Sequence, residues 1–189
     1  MIISIFNKKG GVGKTSLAFN LAKDLDFFLV SNDDSIIEKI YKKAKVIQKL
    51  ELPSRSDADI IYDMGGFIDS NSIKVFKNSD LIVIPTNLDI NSLQRTINVV
   101  KELEEYSKLI IIVINRINKK TIKKYKNTID AILKLKKEVF YINESEAFVN
   151  SIHLGKTINE LYNENGFTKR IYANIHLQYT QLLNAIKEK

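Results

Sequence analysis

The chain has 189 residues, 44% of them hydrophobic, enough for one packed domain and too many for a disordered chain. It contains no cysteine, which excludes disulfides, thiolate zinc sites and cysteine-held iron–sulfur clusters. The net charge is +7, concentrated between Arg116 and Lys137, where Arg116, Lys119, Lys120, Lys123, Lys124, Lys126, Lys134, Lys136 and Lys137 face one acid, Asp130. Such a patch suggests an acidic partner, DNA above all, although a compositional bias toward Lys, Ile and Asn would also give a solvated basic face. A second lysine cluster, Lys39 to Lys49, reads as plain surface.

The apolar start, Met1 to Phe6, runs straight into a Lys-Lys-Gly-Gly loop, whereas a signal peptide carries its charge before the apolar run. No apolar stretch approaches the length of a membrane span. The expectation is a soluble cytoplasmic protein.

In chain order, Ile2–Phe6 reads as a buried strand, followed by the Gly-rich loop and a helix over Thr15–Lys23. Phe27–Ser31 is a second strand, ending in Asn32-Asp33-Asp34. Ser35–Lys43 has a helical pattern, Val46–Leu50 reads as a short strand and Pro53–Ser56 as a loop. Asp59–Asp63 is a strand, and Leu81–Ile84 is another, stopped by Pro85. Asn91–Tyr106 reads as an amphipathic helix and Leu109–Ile114 as a strongly apolar strand. The basic stretch Thr121–Lys137 reads as one helix, with Ile122, Tyr125, Ile129, Ile132 and Leu133 on one face. Val139–Ile142 is the last strand. Thr168–Lys187 is a closing helix with Ile171, Ile175, Leu182, Leu183 and Ile186 as its core stripe. His153 and His176 lie in helical patterns without an Asp, Glu or Cys companion at metal spacing. Apolar strands alternating with amphipathic helices predict an α/β fold: a doubly wound, mostly parallel sheet flanked by helices, in one domain over residues 1–189.

The loop between the first strand and helix carries the chemistry. A triphosphate needs several donors converging on its oxygens, and a tight glycine turn opening a helix supplies backbone N–H groups and the positive end of the helix dipole. Gly10, Gly11 and Gly13 permit close backbone approach. Lys14 is placed to bridge the β- and γ-phosphates and Thr15 to ligate Mg²⁺. This predicts a P-loop nucleotide-binding protein using ATP and Mg²⁺. The standard Gly-x-x-x-x-Gly-Lys-Thr pattern fails, however, because its first glycine falls on Lys8.

Lys9-Gly10-Gly11-Val12-Gly13-Lys14-Thr15 instead resembles the deviant Walker A loop of the ParA/MinD group of ATPases. The resemblance implies that Gly10, Gly11, Val12, Gly13, Lys14, Thr15 and Ser16 hold the nucleotide. It also implies that Lys9, the signature lysine, reaches across an ATP-sandwich homodimer to the partner's phosphates; a lysine merely solvated beside the loop is the plain alternative. Ile60-Ile61-Tyr62-Asp63 resembles the Walker B strand, with Asp63 in the Mg²⁺ shell or, more plainly, a helix cap or turn residue. Ile114-Asn115-Arg116 is similar to the strand end where an asparagine, here Asn115, recognises adenine. Asp80 to Thr86 looks like the group's next strand. Glu146-Ala147-Phe148 and Gly155-Lys156-Thr157-Ile158 resemble the region packed near the base.

The second strand of the group ends Asp-x-Asp-Pro-Gln, whereas this chain reads Ser31-Asn32-Asp33-Asp34-Ser35. By position Asp33 takes the second Asp, near Mg²⁺ and the attacking water; Asp34 competes for the role, and both could simply cap a helix from Ser35. The phosphate loop starts within ten residues of Met1, so an N-terminal helix-turn-helix is not expected. The resemblance implies a short ParA-like partition ATPase that hydrolyses ATP weakly until stimulated by a small centromere-binding adaptor. Its ATP-bound dimer would hold nonspecific DNA through Lys119, Lys120, Lys123, Lys124 and Lys134, associate with the nucleoid, and make no stable membrane association. Two alternatives are a MinD-like membrane-cycling ATPase and a metabolic ATP-dependent ligase of the same fold; Lys9 argues against the ligase.

Overall fold

The computed structural model describes residues 1–51, 58–107 and 109–189, with the side chains at 119–121 outside that description. The loop expected at Pro53–Ser56 therefore lies outside the described residues. In chain order the elements are β1 (Ile2–Ile5), α1 (Lys14–Leu25), β2 (Phe28–Ser31), α2 (Ile37–Ile40), β3 (Ala44–Val46), β4 (Ile60–Asp63), α3 (Ser70–Asn78) and β5 (Leu81–Asn87). They continue with α4 (Ile90–Leu103), β6 (Ile110–Ile117), α5 (Lys119–Lys124), α6 (Lys126–Leu133), β7 (Glu138–Asn143), α7 (Ala147–Leu154), α8 (Ile158–Asn163) and α9 (Gly166–Lys187).

The strands form one seven-stranded sheet in the order β3-β2-β4-β1-β5-β6-β7, and every pairing is parallel. A parallel sheet needs cover on both faces, which explains why its strands read as unbroken apolar runs. Alternate residues feed two separate cores. Ile3, Ile5, Ile61, Ile111 and Val113 pack with α1, α7, α8 and α9, while Ile60, Tyr62, Ile82, Ile112 and Ile114 pack with α3, α4 and α6. β1 lies in the middle, and the chain winds outward from it in both directions. Sheets of this kind open a crevice at the carboxyl ends of their strands, at the point where the winding reverses.

Several boundaries differ from the sequence reading. β5 runs through Pro85 to Asn87 rather than stopping. Val83 turns its carbonyl toward β1, where Phe6 donates to it. Two residues on, Pro85 points the same way, past the end of β1, so its missing N–H removes no ladder bond to β6. The helix expected at Ser35–Lys43 is a single turn, Ile37–Ile40, and the strand expected at Val46–Leu50 is Ala44–Val46. The basic helix is two helices broken at Tyr125 (φ −109°, ψ 19°), which turns Ile129 and Ile132 into the core and leaves Ile122 and Leu133 exposed. In α9, Ile175, Tyr179, Leu182, Leu183 and Ile186 are buried, whereas Ile171 is 55% exposed and not part of the stripe.

Candidate functional site

The phosphate loop connects β1 to α1 at the centre of the strands' carboxyl edge. Gly11 and Gly13 adopt φ 72° and 89°. Gly13 stands at the N-cap of α1 with no side-chain cap, so the first N–H groups of the helix stay directed at the loop. A Cβ on Gly13 would lie 3.2 Å from Nδ2 of Asn115. Lys14 is buried, with Nζ 3.5 Å from the Lys9 carbonyl.

Three asparagines fix the loop from outside. Asn7, fully buried, accepts from the Lys9 N–H at 2.9 Å and donates to the Pro85 carbonyl at 2.9 Å and to Thr96 Oγ1 at 3.1 Å. Asn87 donates to the Gly11 carbonyl at 3.2 Å, and Asn115 to that of Val12 at 2.8 Å. Neither Asn7 nor Asn87 was marked by the sequence reading; the one available signal for Asn7 was a polar residue ending the first apolar strand immediately before the loop.

Asp63 ends β4 with its carboxylate fully buried. Its Oδ2 accepts the hydroxyls of Thr15 at 2.8 Å and Ser31 at 2.9 Å. Burial pushes its pKa up, and the Asp33 charge adds to that; the two hydroxyls and Lys14 oppose the rise without cancelling it. Ser31, which stands where the resembled motif has an aspartate, is thus a direct partner of Asp63. Asp33 is exposed on the following loop, its N–H accepted by Ser31 Oγ at 3.1 Å, and Asp34 is exposed beside it. Neither caps α2, whose N-cap is Ile36.

Lys9 is half-buried at the loop's mouth, and its charge reaches Asp89, the residue that caps α4 through Ser92. Burial raises the Asp89 pKa, but the Ser92 and Asn91 hydrogen bonds and Lys9 outweigh it and leave the carboxyl below its ordinary value. Lys8 pairs with Glu102 at 2.6 Å.

Beside the loop a cleft is lined by Val12, Gly13, Ser16, Asn115, Arg116, Ile142, Asn143, Ser145, Phe148 and Val149. Phe148 lies on this cleft, whereas Gly155–Ile158 does not line it. Gly155 (φ 62°) ends α7, and Thr157 forms a capping box with Glu160 at the start of α8, so that stretch serves helix ends. Of the basic residues, Lys123 and Lys124 are exposed on α5 and Lys134 is exposed at the C-cap of α6. Lys119 and Lys120 belong to α5, their side chains outside the description.

Among the described residues six buried side-chain polar atoms lack a partner. Five of them, Ser35 Oγ, Asp63 Oδ1, Thr86 Oγ1, Asn87 Oδ1 and Asn115 Oδ1, lie at or just beyond the carboxyl ends of β2, β4, β5 and β6. Native proteins pair nearly all such atoms, and three of these belong to side chains bonded to the loop itself, Asp63 to Thr15, Asn87 to Gly11 and Asn115 to Val12, which marks a place suited to a ligand. Oδ1 of Asp63 beside Thr15 suits a hydrated divalent cation, and the acceptor-only Oδ1 of Asn115 suits an amino group.

Residues 3–158 match the sequence signature described as the CobQ/CobB/MinD/ParA nucleotide binding domain, CbiA. The chain belongs to this family. Its members of the ParA/MinD kind are ATPases. No curated protein sequence matches it. Among solved structures it is similar to the MinD cell division protein of Aquifex aeolicus, at 18% identity, TM-score 0.66 and 97% coverage of each chain. It is also similar to the ATP complex of a Cyanothece McdA variant, at 18% identity and TM-score 0.68, covering 98% of this chain and 96% of that one. A plasmid partition protein from Borrelia burgdorferi resembles it at 19% identity and TM-score 0.59, covering 95% and 97%. At these identities the likeness shows the shared fold: a parallel α/β sheet of the P-loop kind.

Proposed function

We propose that this CbiA-family protein is a ParA-like partition ATPase that binds Mg²⁺ and ATP and, so loaded, pairs with a second copy and holds DNA nonspecifically. The observation that carries this reading is the pairing of two features. Lys9 stands second-lysine-first at the mouth of a loop whose backbone is otherwise fixed by Asn7, Asn87 and Asn115. Exposed lysines, Lys123, Lys124 and Lys134, project from α5 and α6, where phosphate contacts need no base readout.

The residues present fit the ligand. Gly10 to Ser16 would supply backbone donors to phosphates, Lys14 a charge at the phosphoryl oxygens, and Thr15 with Asp63 the protein side of the Mg²⁺ site. The metal would supply charge neutralisation at those oxygens. Asp33 is the candidate to orient water, because it lies close enough for its charge to be felt at Asp63. The Lys9 ammonium, now near Asp89, would face the phosphates of the second copy. A small centromere-binding adaptor would stimulate an otherwise weak hydrolysis. The dimer would sit on the nucleoid within the cytoplasm, with no stable membrane association. In line with this, α9 buries its apolar stripe in the core.

One observation favours a MinD-like membrane cycle instead: Phe167 and Ile171 are 70% and 55% exposed beside Lys169 and Arg170 at the start of α9. Sedimentation with DNA and, separately, with anionic liposomes tells the two apart. The partition reading expects ATP to raise both dimer fraction and salt-sensitive DNA retention in the wild type but not in Lys9→Ala. ATP-dependent pelleting with liposomes and none with DNA would overturn it.

A further inference from the structure

The β6–β7 ladder slips by one residue next to the cleft: Ile114 pairs with Tyr141 but Ile117 pairs with Asn143, so three steps on β6 oppose two on β7. The extra residue falls at Asn115-Arg116, and Arg116 takes φ 56°. A residue with a Cβ is disfavoured there, and glycine is the type that sits comfortably. Bulges of this kind re-aim side chains and gather beside functional sites, and local strain of this kind persists where function uses it.

The consequence is that consecutive residues of a strand both line one cleft, where an unbroken pleat would send them to opposite faces. Asn115 donates through Nδ2 to Val12 and keeps Oδ1 unpartnered. Arg116 is exposed on the same cleft, and among the described residues no ion pair is formed by it. Ile142 and Phe148 give the cleft apolar wall. An apolar wall, an edge acceptor and a free planar cation are what a flat heterocycle bearing an amino group needs: one surface to lie on, one partner for its edge, and a guanidinium for its π-face.

We infer that Arg116 is the base-stacking residue of the nucleotide site, lying against an adenine whose amino group is accepted by Asn115. The inference rests on the nucleotide reading above. Arg116 acts on the ring face and Asn115 on its edge, so the two are separable. The φ of 56° makes the test sharp, because glycine removes the side chain while relieving the backbone.

Binding of ATP, ITP and tripolyphosphate, each with Mg²⁺, is measured for wild type, Arg116→Gly and Arg116→Lys, together with the thermal midpoint of each ligand-free protein. Arg116→Gly is expected to bind both ATP and ITP about tenfold more weakly, with tripolyphosphate unchanged and an equal or higher thermal midpoint. Arg116→Lys, which keeps the charge without the flat face, should lose affinity for both nucleotides by a smaller factor. Unchanged ATP affinity in Arg116→Gly overturns the inference, as does an equal loss for tripolyphosphate, which would mean a charge effect on phosphates. A lowered midpoint in Arg116→Gly overturns it too, by showing a structural residue. A wild type that binds no ATP overturns the nucleotide reading itself, a result distinct from all of these.

Discussion

The Thr15 hydroxyl donates to Oδ2 of Asp63 at 2.8 Å, bridging the phosphate-loop helix to the end of β4. Ser31 donates to the same oxygen at 2.9 Å, and Oδ1 is left buried and unpartnered. In the proposed Mg²⁺ site, the Thr15 hydroxyl would ligate the metal and the Asp63 carboxylate beside it would steady the metal's water shell. Thr15→Ala and Asp63→Asn should each weaken Mg²⁺-dependent nucleotide binding by about 10–100-fold while affecting metal-free binding little. Titrating ATP with and without Mg²⁺ by calorimetry checks this.

The raised pKa of Asp63 gives a direction to the pH dependence. A carboxylate raised by burial holds its proton to higher pH than an ordinary one, and a cation requires the ionised form. Mg²⁺-dependent affinity should therefore fall as pH drops through the raised pKa, with proton release on binding. Calorimetry in two buffers of different ionisation enthalpy measures that release; Asp63→Asn should abolish it.

Asp24 is also raised, mainly by burial, although Oδ2 accepts from Tyr179 and Asn159, both at 2.8 Å. For a carboxylate whose folded pKa is above its unfolded one, folding favours the protonated form, so its ionisation costs stability once pH exceeds the unfolded value. Stability attributable to this group should rise as pH falls from above the folded pKa toward the unfolded one. Asp24→Asn keeps an acceptor oxygen and removes the half-buried charge, so thermal melts across pH 4–8 (a window of roughly the carboxylate range) should show a flatter profile and no loss at neutral pH.

Gly13→Ala meets two obstacles at once, φ 89° and a contact of 3.2 Å with Asn115 Nδ2. It should cost about 1–3 kcal/mol of stability and displace Asn115, weakening ATP by more than it weakens tripolyphosphate. Melting curves and competition binding separate the two effects.

Asn7→Ala would strip partners from the Pro85 carbonyl and the Lys9 N–H together. A loss of about 3 kcal/mol is expected from buried groups left unpaired, with faster amide exchange confined to the loop's first residues. Urea unfolding and hydrogen exchange test this.

The sheet, the loop and Asp63 were legible because each obeys a local rule: period, glycine spacing, a carboxylate ending an apolar run. What was not legible depends on neighbours distant in sequence. Pro85 stays inside β5 because β1 ends beside it, a fact held in residues some eighty positions away. The short helices α3 and α8 repeat too few apolar residues to announce a face. Ile171 matches the core stripe of α9 by spacing, yet the core beneath it has ended. Arg116 looks like an ordinary strand residue until the slip in register against β7 is known.

The most direct test of the account is a calorimetric titration of Mg²⁺ and ATP into the wild type and Lys14→Ala. The account predicts one site per chain in the wild type and a loss of at least about 100-fold in the variant, which lacks the buried ammonium that Lys14 places 3.5 Å from the Lys9 carbonyl. Equal affinity in the two proteins, or no binding by the wild type, would contradict it.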